Sequence, residues 1–170
     1  AGSMQCQGLI HAKDNTEDLK YYPDIIIKPA STLEISKILK IANFYKIHVT
    51  PRGGGTGLSG GSLTVFGGIC LSLERMNRII EIDENNFQIT AEPGVITEVL
   101  QTECEKRGLF YPVDSASKGS CFIGGNLAES SGGPRAVKYG TTKDYVLSIE
   151  TVLPSGDIIN LGANTLKNVS

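Results

Sequence analysis

The sequence predicts an α+β domain, in which a small parallel β-α-β unit is followed by mainly antiparallel strands with flanking helices. The first observation is a β-branched run, an amphipathic helical pattern and a second short apolar run within the first 50 residues. The second is that two pairs of strand-like segments, each joined by a short polar turn, follow later. At 170 residues, the chain is long enough for one domain with its own core.

The parallel unit begins at residues 24–28, Asp-Ile-Ile-Ile-Lys, which lie between two prolines and predict a strand. Ser31 and Thr32 are candidate N-caps for a helix predicted over 32–46, where apolar side chains recur at helical spacing. A second strand at 47–50 leads into a glycine-rich loop. We expect the two strands to be parallel and their connection to be right-handed.

Apolar alternation and turn residues predict the remaining elements. In chain order they are a strand at 69–73, a hairpin of 78–83 and 87–92 turned at 84–86, a helix over 95–107 that Gly108 ends, a short helix near 126–130 within the loop-rich segment 112–140, and strands at 145–153 and 158–161 joined by the turn 154–157.

Composition argues against several classes of function. A net charge of −2 is unfavourable for a nucleic-acid or anionic-membrane surface, and no apolar run is long enough for a transmembrane segment. The four cysteines form no C-x-x-C pair and the two histidines lack metal-ligand spacing, so we expect no metal site and a reducing, cytoplasmic setting. Residues 1–22 are interpreted as tag residues, Ala1 to Ser3, and a polar leader with His11 exposed.

The first glycine-rich loop is the most informative segment, because six of the ten residues from Arg52 to Gly61 are glycine. Successive N–H groups in such a loop form a concave nest that binds anions, most often phosphates. The segment 55–60 matches G-x-G-x-x-G, but residues 61–68 cannot begin the helix that a Rossmann site needs. A Walker A loop is excluded by the absence of its lysine. The alternative of a flexible linker remains, although Pro51 and Arg52 favour a fixed anion site.

A second informative region, residues 112–133, alternates small hydroxyl side chains with glycine pairs. Gly124, Gly125 and Asn126 are predicted to open a short helix whose N–H groups point at an acceptor. Gly132 and Gly133 are predicted to end it, so that the backbone can lie close to a flat ring. A surface loop without a ligand is the alternative interpretation. Because both regions belong to one domain, one extended ligand can contact both.

Six motifs in order carry a resemblance to a known family: PRGGGTGLSGG at 51–61, RMNRI at 75–79, EPGV at 92–95, IGGN at 123–126, KYG at 138–140 and VLPSG at 152–156. Together they resemble the FAD-binding domain of FAD-linked oxidases of the vanillyl-alcohol oxidase/p-cresol methylhydroxylase (PCMH) type. Within that family the likeness is to the glycolate oxidase flavin subunit and to D-lactate and D-2-hydroxyglutarate dehydrogenases. It implies a domain at 23–170, with a small subdomain at about 23–75 and a larger one at about 76–170 that is C-terminally truncated.

The resemblance implies that the first loop binds the FAD pyrophosphate and that the second region lies along the flavin and its ribityl chain. Some members attach FAD through a histidine after the first glycines, but Thr56 and Gly57 stand there, so we expect non-covalent FAD. No catalytic or metal residue is assigned, because the family's substrate domain follows later. The implied cofactor-binding residues are Pro51, Arg52, Gly53, Gly54, Gly55, Thr56, Gly57, Ser59, Gly60, Pro112, Asp114, Ser117, Gly124, Gly125, Asn126, Gly132, Gly133, Lys138, Tyr139 and Gly140.

The activity that the resemblance implies is oxidation of a 2-hydroxy acid, of the glycolate or D-lactate type, to a 2-keto acid. An iron–sulfur or other electron-transfer subunit is the implied partner, in the cytoplasm or at the inner membrane through that partner. The alternative is a non-catalytic FAD- or nucleotide-binding fragment, and we expect these 170 residues alone to be inactive. A reductase of an enolpyruvyl sugar-nucleotide shares the fold, but the GGGTGLSGG and KNVS forms favour the hydroxy-acid branch.

Overall fold

The computed structural model describes residues 10–16 and 18–163. Its elements in chain order are β1 (Ile25–Ile27), α1 (Thr32–Tyr45), β2 (Val49–Arg52), β3 (Ile69–Ser72), β4 (Ile79–Asp83), β5 (Gln88–Ala91), α2 (Thr97–Glu105), α3 (Ile123–Ala128), α4 (Ala136–Tyr139), a 3-10 helix (Thr142–Tyr145), β6 (Ser148–Val152) and β7 (Ile158–Gly162). The predicted tag residues 1–3 and the KNVS segment at 167–170 lie outside the described residues.

The first sheet has the strand order β1-β3-β2, and both outer strands run parallel to β3. Ile69 of β3 is in register with Ile25 of β1 and with Val49 of β2. All four residues of β3 are buried, as expected for the central strand of a parallel sheet. The predicted parallel β-α-β unit is therefore confirmed, with β3 inserted between its two strands.

Two antiparallel pairs, β4–β5 and β6–β7, form the second part of the domain. The β4–β5 turn is capped by Asp83, whose carboxylate accepts from the N–H groups of Asn85 and Asn86, each at 3.0 Å. The α2 helix packs on this hairpin through the buried side chains of Leu100 and Cys104. The predicted α+β class, with mainly antiparallel pairing after the parallel unit, is confirmed.

Three local predictions were wrong. The short helix spans Ile123–Ala128 rather than about 126–130 and ends before Gly132 and Gly133, and the strand predicted from 145 starts at Ser148. The latter shift has a local cause, because Thr141 and Asp144 form a capping box that folds residues 142–145 into a 3-10 helix. His11 is only 5% exposed, since residues 10–16 pack against the domain instead of forming a solvated leader.

Within the residues that the structure describes, no helix has the length and apolar character needed to cross a bilayer. The same residues contain no group of three or more His, Cys, Asp or Glu side chains that could hold a metal ion.

Candidate cofactor site

The two glycine-rich regions of the sequence lie against each other. A Cβ placed on Gly54 would overlap the carbonyl oxygen of Ser120, and one placed on Gly53 would lie 3.6 Å from the Cβ of Phe122. The Ser59 hydroxyl also donates to Glu129 Oε1, at 3.3 Å. The glycine loop, residues 53–62, and the second cluster, residues 112–133, therefore meet, as one extended ligand requires.

The backbone donors of the glycine loop have no acceptor in the described part of the chain. From Gly54 to Ser62, no backbone N–H donates a hydrogen bond to an acceptor in the described part of the chain. Gly55 and Gly60 have φ angles of 69° and 74°, in the left-handed region that glycine adopts readily. A Cβ placed on Gly57 would meet no heavy atom within 4 Å, so the backbone is open there. Backbone donors without protein acceptors in a glycine-rich loop are typical of anion-binding loops.

The predicted residues of this loop differ in exposure. Pro51, Gly54, Gly57 and Ser59 are exposed, Gly53, Gly55, Thr56 and Gly60 are half-buried, and Arg52 is buried.

We expected the Arg52 side chain to contact a bound anion. In the structure it points into the protein instead. Its Nη2 donates to the carbonyl oxygens of Lys13 and Ile10, at 2.6 and 3.1 Å. Its Nη1 donates to the hydroxyl of Ser62 at 3.2 Å. Burial lowers the pKa of this guanidinium, and the charges of Cys70 and Asp14 oppose that shift. Arg52 thus holds the glycine loop and residues 10–13 together from beneath.

Residues 10–16, which we call the strap, belong to the site although nothing in the sequence pattern places them there. The N–H of Asn15 donates to the carbonyl oxygen of Gly57 at 3.1 Å. On either side of Asn15, two buried oxygens, Asp14 Oδ2 and Thr16 Oγ1, have no hydrogen-bond partner in the described part of the chain. The only local signal is the Asp14-Asn15-Thr16 turn, in which Asp14 Oδ1 accepts from the Thr16 N–H at 2.8 Å.

In the second cluster, the backbone donors at the start of α3 already have protein acceptors. The N–H groups of Ile123 and Gly124 donate to the carbonyl oxygens of Val95 and Pro93, at 2.9 and 2.8 Å. We expected the N–H groups at the start of this helix to point at a ligand. The structure differs, because the connection between β5 and α2 supplies these acceptors instead. Pro112 is buried, Ser117, Gly124, Gly125 and Gly132 are half-buried, and Gly133 is exposed.

Asp114 joins the two ends of the second cluster. Its carboxylate pairs with Lys118 Nζ at 3.0 Å and with Arg135 Nε at 3.4 Å. The hydrogen bond from Lys118 is the main reason that the pKa of Asp114 is lowered. Gly133, with φ of 150°, packs so closely that a Cβ would overlap the carbonyl oxygen of Asp114. The predicted residues of the two ends are thus brought together.

The Asn126 side chain faces the core. Asn126 is 2% exposed, and its Nδ2 donates to Thr97 Oγ1 at 2.5 Å. The Thr97 hydroxyl in turn lies 3.4 Å from the carbonyl oxygen of Cys121. This network ties α3 to α2 beneath the second cluster, so Asn126 supports the site from inside.

Lys138, Tyr139 and Gly140 lie on the far side of the second cluster, at the end of α4. The Lys138 Nζ lies 4.8 Å above the Tyr139 ring, which packs edge-on against Phe110 at 5.7 Å. The Tyr145 hydroxyl donates to the carbonyl oxygen of Tyr139. Gly140 has a φ of 83° and lies against the Asp144 carboxylate. Lys138 is exposed and the other two are half-buried.

Comparison with known proteins identifies the cofactor. The family described as the FAD binding domain matches residues 23–162. This chain belongs to the FAD-binding domain family. It is 45% identical over 162 residues to the glycolate oxidase subunit GlcD of Bacillus subtilis, covering 95% of the chain and 34% of that protein. It is 43% identical over 151 residues to the D-lactate dehydrogenase of Anaerostipes hadrus, covering 89% and 32%.

The FAD-binding domain also matches solved structures. The 6-hydroxy-D-nicotine oxidase of Arthrobacter nicotinovorans is 28% identical, with a TM-score of 0.77 over 89% of this chain and 32% of that one. The resemblance and the PCMH-type fold predicted from the sequence are confirmed, and FAD is the cofactor of this domain. The chain spans about a third of the length of the relatives that it matches.

The described residues of the FAD-binding domain fit a dinucleotide. The free N–H groups of 54–62 are donors suited to a pyrophosphate. The backbone beside Gly57 and Gly125 is open, since a Cβ placed on either residue would meet no heavy atom within 4 Å. The unpartnered oxygens of Asp14 and Thr16 lie on the strap beside this loop. The two buried oxygens need partners that the described chain does not provide.

Proposed function

We propose that this chain provides the FAD-binding part of an oxidoreductase that converts a 2-hydroxy acid, of the glycolate or D-lactate type, into the 2-keto acid. The observation that supports it is the meeting of the glycine loop, with its free N–H groups, and the second cluster. The substrate class rests on the names of the relatives, which include a glycolate oxidase subunit and a D-lactate dehydrogenase.

In this proposal the two regions have different tasks. The glycine loop binds the pyrophosphate through its backbone N–H groups, with Pro51 and Arg52 leading into it, and the second cluster with Lys138, Tyr139 and Gly140 lies along the flavin. When bound, FAD supplies the hydride-accepting chemistry, while these residues bind and orient it. FAD is held non-covalently, because Thr56 and Gly57 stand where a covalently attached member has its histidine.

We further propose that the cofactor-binding domain comprises residues 23–170, with a small subdomain at about 23–75 and an incomplete larger one at about 76–170. The electrons pass to an iron–sulfur or other electron-transfer subunit. The buried free thiols of Cys70, Cys104 and Cys121 support a reducing, cytoplasmic location, at the inner membrane only through such a partner.

The test has two steps. The chain is first titrated with FAD, followed by quenching of flavin fluorescence, and then precipitated with acid. We expect saturable binding and release of all flavin into the supernatant. The complete product of the gene is then assayed with glycolate, D-lactate and D-2-hydroxyglutarate and an artificial electron acceptor.

We expect the complete product to oxidise at least one of these acids and the 170-residue chain to oxidise none. Flavin that stays with the precipitate would disprove non-covalent binding. If the complete product binds FAD but oxidises none of the acids, the proposed substrate class is wrong. If it does not bind FAD, the proposed use of the glycine loop is wrong.

A further inference from the structure

The strap is attached to the glycine loop at two points. Near its end, the N–H of Asn15 donates to the carbonyl oxygen of Gly57 at 3.1 Å. Further back, the carbonyl oxygens of Ile10 and Lys13 accept from the guanidinium of Arg52. Ala12, between these two acceptors, is completely buried. The strap is therefore part of the packed domain and lies directly beside the loop.

Arg52 connects the strap to both ends of the glycine loop. Its backbone immediately precedes the loop, and its Nη1 donates to Ser62 at the other end of the loop, to the hydroxyl at 3.2 Å and to the carbonyl oxygen at 3.5 Å. A Cβ on Gly55 would overlap the guanidinium, so the side chain passes directly under the turn of the loop. One planar group thus binds the strap and the loop at once.

The geometry requires an arginine at this position. Arg52 is 6% exposed, and its two terminal nitrogens donate in different directions, Nη2 to the strap and Nη1 to Ser62. A lysine ammonium is a single point that cannot span acceptors on both sides in a fixed plane. Both acceptor sets are neutral, so the charge is balanced only at longer range, by groups that include Asp14 on the strap itself.

We propose that Arg52 is a positioning residue that clamps the strap, residues 10–16, onto the glycine loop and thereby holds the loop in the shape that binds the FAD pyrophosphate. This rests on the proposed use of the loop. The glycine loop has little internal support, because its N–H groups from 54 to 62 make no hydrogen bond within the described chain. Glycine-rich segments have large conformational freedom, so an external clamp is needed to preorganise them.

Two further atoms indicate that the strap faces the ligand. Asp14 Oδ2 and Thr16 Oγ1 are buried without a partner among the described residues, on either side of the residue that bonds to Gly57. Buried polar atoms without partners are uncommon in folded proteins and mark places where a ligand or water completes the site. A strap that only packed against the domain would not need buried polar atoms without partners.

The experiment is a double-mutant cycle between Arg52→Ala and removal of the strap in a chain that begins at residue 17. The dissociation constant for FAD is measured by quenching of flavin fluorescence, and the thermal stability of each apoprotein is recorded separately. We expect each single change to weaken FAD binding on the order of 100-fold, because two or more charge-assisted hydrogen bonds that shape the loop are lost. The combined change should be no worse than removal of the strap alone, because removal of the strap already removes the clamp.

Two measurements separate positioning from general destabilisation. Methylguanidinium should restore FAD affinity to Arg52→Ala in the strapped chain and have no effect once the strap is removed. Amide exchange of residues 13–16 should quicken in Arg52→Ala and recover with methylguanidinium. Arg52→Lys should recover less than about a tenth of the lost affinity. The control is Arg107→Ala. Arg107 is a partly exposed arginine that pairs with Glu103 of α2, and its substitution should change none of these values.

Additive losses in the double-mutant cycle would overturn the proposal, since the strap and Arg52 would then act separately. Unchanged FAD affinity in Arg52→Ala would also overturn it. If Arg52→Ala fails to fold, Arg52→Lys and the strap deletion carry the same test, and unchanged affinity in both is the contradicting result. If the wild-type chain binds no FAD while the strap is protected from exchange, the proposed function of the loop fails and the clamp has no cofactor to serve.

Discussion

The glycine loop and the second cluster are both rich in glycine, yet they use their backbones in opposite ways. The loop leaves its N–H groups from 54 to 62 without acceptors in the described chain, and its support comes from Arg52 beneath it. At the start of α3, the second cluster instead donates to protein acceptors, as the bonds from Ile123, Gly124 and Asn126 to carbonyl oxygens show. A high glycine content therefore indicates two different properties, free donors in one region and close backbone packing in the other.

This difference suggests how the two regions contribute to binding FAD. A pyrophosphate needs several N–H donors, which the glycine loop supplies from 54 to 62 and the start of α3 does not, because Ile123 and Gly124 donate to protein acceptors. A flat ring system needs backbone that a side chain does not obstruct, and the second cluster supplies this at Gly125, where a Cβ would meet no heavy atom within 4 Å. Ligand binding, substitution and pH can each test this division of tasks.

Adding FAD should stabilise the chain and should protect the two regions unequally. At about 100 times its dissociation constant, a ligand that binds only the folded state adds about 2.7 kcal/mol to the free energy of unfolding. Hydrogen exchange should slow strongly at the amides of 54–62, which have no acceptor in the described chain, and little at those of Ile123 and Gly124. Equal slowing in both regions would contradict the division of donors.

Gly54→Val should disrupt the contact between the glycine loop and the second cluster. A Cβ at this position would overlap the carbonyl oxygen of Ser120, so we expect a loss of about 2 kcal/mol in the free energy of unfolding, measured in urea, and weaker FAD binding. The control is Gly57→Ala, where the Cβ would meet nothing within 4 Å. That variant should keep the stability of the apoprotein, or gain up to about 1 kcal/mol. Wild-type stability in Gly54→Val would show that the regions do not meet.

The contrast between the two regions also shows what a sequence can predict. The glycine loop was found because its composition and its position after a strand are local features, and the hairpins were found by alternation and turn residues. The start of α3 was missed because Phe122 supplies no side-chain cap that would mark it. The strap was missed because its bonds to Arg52 join residues 39 and 42 positions apart, which no periodicity records.

Contacts between residues distant in the sequence also explain why two predicted site residues point into the protein. Arg52 and Asn126 were selected by residue type and motif, and type does not fix where a side chain points. Arg52 faces the strap because the carbonyl oxygens of Ile10 and Lys13 lie there, and Asn126 faces Thr97 because α3 packs against α2. In both cases an acceptor distant in the sequence determines the orientation.

Asn126→Ala should therefore affect stability more than cofactor affinity. It removes the bond to Thr97 and leaves a buried hydroxyl with fewer partners, which should cost about 1.5 kcal/mol in the free energy of unfolding. The FAD dissociation constant, corrected for the unfolded fraction, should change less than about threefold, a limit that corresponds to about 0.65 kcal/mol. The exposed Asn160→Ala is the control and should change neither value. A large loss of affinity at wild-type stability would instead make the Asn126 side chain a direct ligand of FAD.

The smallest expected effect is a pH dependence in the second cluster that the glycine loop lacks. The hydrogen bond from Lys118 lowers the pKa of Asp114 in the folded state, so this carboxylate stabilises the protein above its unfolded pKa of about 3.9. That contribution is lost as the pH falls through the lowered folded-state pKa, and Asp114→Asn should remove it. The difference in melting temperature between wild type and Asp114→Asn should therefore shrink below about pH 4. Lys118→Met should weaken the same dependence, because Lys118 is the main cause of the shift. A difference that stays constant from about pH 6 to pH 3 would mean that the pairing of the Asp114 carboxylate with Lys118 does not stabilise the folded protein.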